Sequence, residues 1–97
     1  MRWARRTDDN QKEIVEAFRK LGAKVKVIHQ PVDLKVWATT DPDEHRTILI
    51  EVKNPNTAYG RKGLNDKQAE EMDGLPHAMV DSVDAAIRAL NVLRASK

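Results

Sequence analysis

Thr47-Ile48-Leu49-Ile50-Glu51-Val52-Lys53 is the most apolar run in the chain, and it closes on two opposite charges. The β-branched residues Thr47, Ile48, Ile50 and Val52 favour a pleated strand over a helix. An unbroken apolar run of this length reads as a central strand, covered on both faces for most of its length. The strand is expected from Arg46 to Lys53. Side chains alternate along it, so Glu51 and Lys53 share one face while Ile50 and Val52 point to the other.

Working outward, the segment Asp41-Pro42-Asp43-Glu44-His45 is turn chemistry. It predicts a hairpin joining this strand to an earlier one, Asp33 to Ala38. There Leu34 and Val36 lie on one side and Asp33, Lys35 and Trp37 on the other. A further strand, Lys24 to His29, places Val25 and Val27 on one face and Lys24, Lys26 and Ile28 on the other. Ahead of it, Ile14, Val15, Phe18 and Leu21 recur at helical spacing and predict an amphipathic helix from Asp9 to Leu21. Thr7 or Asp8 caps its start and Gly22 stops it.

Downstream of Lys53, an Asn-, Pro- and Gly-rich loop runs from Asn54 to Gly63. Asn65 caps a short helix to about Met72, broken by Asp73-Gly74-Leu75-Pro76. His77 to Val80 is a short strand. Asp81-Ser82 caps a last helix whose apolar face is Val83, Ala86, Ile87, Leu90 and Leu93. The order is αβββαβα, an α/β structure with a small mixed sheet flanked by helices.

The 97 residues predict one domain spanning 1–97. With no cysteine, disulfides, thiolate metal sites and a cysteine nucleophile are excluded. No apolar run is long enough for a signal peptide or a membrane span, so a cytoplasmic protein with no membrane partner is expected. The net charge of +2 says little by itself, but Arg2, Arg5 and Arg6 crowd one end, and Arg61 and Lys62 sit beside Tyr59 in the loop. Aromatic residues are only 4% of the chain, too few for a base-stacking platform. His29, His45 and His77 match no zinc pattern.

Polar residues normally avoid the end of a central strand, yet Glu51 and Lys53 stand there, and Asp33 opens the neighbouring one. Converging carboxylates suit Mg²⁺, a hard cation that takes oxygen ligands. A divalent ion removes the repulsion between them and activates water for attack on a phosphodiester. An adjacent ammonium orients that water or stabilises the developing charge. The backbone carbonyl of Val52 is a further candidate ligand.

Pro31-Val32-Asp33 followed by Ile50-Glu51-Val52-Lys53 resembles the signature of the PD-(D/E)XK, or restriction-endonuclease-like, nucleases. The chain is most similar to small stand-alone members: archaeal-type Holliday junction resolvases and phage VRR-NUC nucleases. Leu64-Asn65-Asp66-Lys67-Gln68 and the segment His77 to Ala86 extend the likeness, which covers about residues 5 to 90. The resemblance implies a restriction-endonuclease-like core, dependence on Mg²⁺ or Mn²⁺, and an endonuclease acting on DNA in recombination or repair. A branched DNA such as a four-way junction and a homodimer are the specific expectations. By the same resemblance Asp33 and Glu51 are metal ligands, Lys53 is the catalytic lysine and Gln68 supports the site.

Two positions depart from the family pattern. Val32, not proline, precedes Asp33. Gln11 stands where relatives often carry a metal-binding glutamate on the first helix. Either two carboxylates suffice, or Glu13 or Glu16 substitutes. Asp8-x-x-Gln11 and Asn65-x-x-Gln68 also have capping-box spacing. The rival reading is a non-catalytic DNA-binding or assembly module that retains the fold. Arg5, Arg6, Tyr59, Arg61 and Lys62 are the expected DNA contacts. Reversing the charges of Arg61 and Lys62 should weaken DNA binding and flatten its salt dependence. Unchanged affinity and slope in a salt titration would remove this loop from the interface.

Overall fold

The computed structural model describes residues 9–54 and 66–96. Its elements follow the expected order: α1 (Asp9–Lys20), β1 (Lys24–Val27), β2 (Leu34–Trp37), β3 (Thr47–Val52), α2 (Asp66–Glu71), β4 (His77–Val80) and α3 (Val83–Ala95). The strands form one mixed sheet in the order β1-β2-β3-β4. The first three are an antiparallel meander, and β4 runs parallel to β3. Parallel neighbours need a crossover connection, and the segment containing α2 supplies it. Among the described residues no helix is long and apolar enough to cross a membrane.

The core lies between one face of the sheet and the two longer helices. Ile14, Val15 and Phe18 of α1 and Ala86, Leu90 and Leu93 of α3 pack with Val25, Leu34, Val36, Ile48 and Ile50. Gly22 ends α1 in the left-handed region at φ 85°, a conformation glycine adopts without steric cost. Ser82 caps α3, its Oγ accepting from the Ala85 N–H at 3.1 Å. The caps expected for α1, Thr7 and Asp8, lie outside the described residues.

The last turn of α3 is tied down by arginines. Arg94 donates from Nε to the Ala38 carbonyl (2.9 Å) and from Nη2 to Leu21. Arg46 Nη1 donates to the Arg94 carbonyl at 3.0 Å. Arg46 also grips Glu44 in the β2–β3 hairpin, with Nε 2.9 Å from Oε2. These bonds hold the Glu44 carboxyl down to about 2.

Several expectations need correction. Leu21 is 41% exposed, because α1 ends at Lys20 and Leu21 already belongs to the turn. Val27 is also exposed, since β1 is an edge strand and Val27 has a strand neighbour on one side only. β3 is central but not covered equally on its two faces. Ile48 and Ile50 are buried while Thr47, Leu49 and Glu51 are half-buried, because α1 and α3 pack on the same face. Ala86 of α3 lies within the core, and Ala85 and Ala89 pack against it.

Phe18 and Leu90 are fully buried. Phe18→Ala should cost about 3–5 kcal/mol and Leu90→Ala about 2–5 kcal/mol. Leu21→Ala should stay within about 0.5 kcal/mol. Urea unfolding checks this, and a Leu21 variant as damaging as the other two would contradict the packing described.

Candidate active site

The sheet's pairing with β2 ends at Leu34↔Ile50. One step further, the Val52 N–H donates to the carboxylate of Asp33 at 2.8 Å, so a side chain takes the next rung of the ladder. On its other side β3 continues toward β4, with the Lys53 N–H donating to the Val80 carbonyl at 2.9 Å. This arrangement fixes Asp33 at the mouth of the β1–β2 hairpin, directly beside the end of β3. The hairpin is closed by the Ile28 N–H donating to the Asp33 carbonyl at 2.9 Å. Its loop contains His29 at φ 71° and a cis bond between Gln30 and Pro31.

Glu51 and Lys53 emerge on the same face, as strand alternation requires. Lys53 Nζ lies 3.4 Å from Glu51 Oε2, and both side chains are largely shielded from solvent. Gln68 reaches down from α2 and donates from Nε2 to the Pro31 carbonyl at 3.1 Å. It also hydrogen-bonds the Glu51 carboxylate. Gln68 therefore links α2, the hairpin loop and β3 through one amide. The structure gathers Asp33, Glu51, Lys53 and Gln68 at one end of the sheet.

Gln11 is not joined to them. It is half-buried on α1, with no hydrogen bond to Asp33 or Glu51. Glu13 and Glu16 are exposed. Among the described residues no group of three or more His, Cys, Asp or Glu side chains is placed to hold a metal, so the carboxylate set is Asp33 with Glu51. Val52 is half-buried and contributes its N–H to Asp33. Arg5, Arg6, Tyr59, Arg61 and Lys62 lie outside the described residues.

The helix residue that does reach the strand end is Asn10, which no motif or spacing singles out. Its Nδ2 donates to the Lys53 carbonyl at 2.7 Å, anchoring the first turn of α1 to the end of β3. Its Oδ1 is buried with no partner among the described residues. Asn is a poor helix former, and that mild misfit was the one available signal.

Burial, and then the charge of Asp33, push the Glu51 carboxyl above its ordinary value, against the opposing pull of Gln68 and Lys53. A carboxyl whose ionisation is made costlier by burial and a neighbouring acid is the electrostatic setting a divalent cation relieves. Carboxylate oxygens are the hard donors that Mg²⁺ and Mn²⁺ accept. The residues present thus fit such an ion.

Comparison with known protein families, with curated proteins and with solved structures finds no match to the chain.

Because folding raises the Glu51 pKa, the folded state holds more protons than the unfolded one between the ordinary value of 4.5 and the raised value. Stability therefore falls as pH rises through that window and stays lower above it. Glu51→Gln should melt higher than the parent at pH 7, and the gap should close below about pH 4. A variant that melts lower at pH 7 would contradict the assigned electrostatics.

Proposed function

We propose that this protein is a metal-dependent DNA endonuclease with a restriction-endonuclease-like core. The observation that carries the reading is the meeting of Asp33, Glu51 and Lys53 at one end of the sheet. Asp33 is bonded to the backbone of the very strand that bears the other two. The meander of three strands, followed by a helix and a parallel fourth strand, supports the fold assignment.

Asp33 and Glu51 would hold Mg²⁺ or Mn²⁺, which when bound acidifies a water molecule and offsets charge on the scissile phosphate. The chain's own residues supply the rest. The Val52 N–H orients Asp33 through one oxygen and leaves Oδ1 without a hydrogen bond among the described residues. Gln68 fixes the Glu51 carboxylate by anchoring to the Pro31 carbonyl. The Lys53 ammonium lies 3.4 Å from Glu51, a cation positioned to hold the attacking water or stabilise negative charge on the phosphate.

A branched DNA such as a four-way junction is the specific substrate proposed. Two symmetric cuts on such a junction call for two active sites, so a symmetric homodimer is the fitting assembly.

The test is cleavage of labelled four-way junction, flap and linear duplex DNA in Mg²⁺ or Mn²⁺. Metal-dependent cutting is expected. Lys53→Ala should slow it by about a hundredfold or more while leaving DNA binding in place, and Asp33→Ala should abolish it. Tight DNA binding without cutting under either metal would replace the enzyme with a non-catalytic DNA-binding module.

A further inference from the structure

Strand alternation gives this sheet two chemically different faces. Val25, Leu34, Val36, Ile48 and Ile50 face the helices and are buried. On the opposite face β1 and β2 present Lys24, Lys26, Lys35 and Trp37. Lys26 stands directly across from Lys35, and Lys24 across from Trp37. The Nζ atoms of Lys24 and Lys35 lie 4.8 and 5.0 Å from the centre of the Trp37 ring. Trp37 thus holds two ammonium groups near its ring.

Among the described residues none of these lysines makes an ion pair. Like charges at opposed positions of an antiparallel pair are destabilising. The Lys26↔Lys35 pairing is therefore a cost that packing does not explain. The outward positions of β3 and β4 on this face are Thr47, Leu49, Glu51, His77 and Met79. Among the described strand positions of this face the one acid is Glu51, at its end, with Asp33 just ahead of β2.

The lysines also lead somewhere. Lys35 follows Asp33 by two residues on the same face, and its partner Leu49 precedes Glu51 by two. One side-chain repeat along a strand, roughly 7 Å, separates the cationic patch from the carboxylates.

We infer that this face of β1 and β2 seats the phosphate backbone of duplex DNA, with Lys24, Lys26 and Lys35 neutralising phosphates and leading the strand to Asp33 and Glu51. The identity of the polyanion rests on the nuclease reading; the location rests on the uncompensated lysines. Cationic side chains set side by side, two of them against an aromatic ring and none with an acid partner among the described residues, complement a row of phosphates. Burying one of them in an ion pair would improve folding and spoil the track.

The experiment measures affinity for labelled linear duplex and four-way junction DNA by fluorescence anisotropy over a series of salt concentrations. No divalent ion is added, so no strand is cut. The double variant Lys26→Gln/Lys35→Gln should bind more weakly, and its slope of log affinity against log salt should shrink by about 1.8, near 0.9 per lysine. Its melting temperature should equal or exceed that of the parent, because the opposed charges are gone. Lys12→Gln/Lys20→Gln, which removes exposed lysines of α1 on the other side of the sheet, should keep the parental slope. An unchanged slope in the sheet variant, or an equal loss in both variants, overturns the assignment. If the parent still cuts DNA in that case, only the sheet face falls. If the parent neither binds nor cuts any of these DNAs, the nuclease reading falls and takes this one with it.

Discussion

The hydrogen bond from the Val52 N–H to the Asp33 carboxylate determines where everything else at the site stands. β2 has ended, and the backbone donor on β3 would otherwise face an empty rung. A charged acceptor there contributes on the order of 1.5–3 kcal/mol. It also pins the mouth of one hairpin to the end of the central strand. A carboxylate of the hairpin mouth is thereby brought beside one carried by the central strand. Side chains fixed by a strand and its hydrogen bonds are held more tightly than side chains on a loop, which the proposed chemistry on a phosphodiester would require.

Around that bond, two amides act as braces. Gln68 ties α2 to the hairpin loop and to Glu51, and Asn10 ties α1 to the carbonyl of Lys53. The elements framing the site thus depend on one another through polar contacts, while their stability comes from the apolar layer behind. The sheet divides these duties by face. Ile48 and Ile50 anchor β3 to the helices, and Glu51 on the opposite side stays available to the site. The raised Glu51 carboxyl reflects that division, because it is shielded yet lies next to another acid.

Much of this was legible in the residues. The apolar run ending in Glu51 and Lys53, the turn at Asp41 to His45 and the Ser82 cap each follow from local rules, and the element order came with them. The shared face of Glu51 and Lys53 followed from alternation alone. The Asn10 bond to Lys53 crosses 43 positions and the Gln68 bond to Pro31 crosses 37, so no local pattern encodes them. Periodicity also overran its element at Leu21, where the helix had already ended. It could not tell that both long helices would settle on one face, which left half of β3 and the lysines of β1 and β2 toward the outside.

The central claim is that Asp33 and Glu51 together hold a divalent ion. A crystal structure with Mn²⁺, read from the anomalous signal of the metal, tests it most directly. The account predicts one strong peak within coordinating reach of both Asp33 and Glu51, with Asp33 still accepting from the Val52 N–H. A peak held by other residues, or none at all with Glu51 still paired to Lys53, would contradict it.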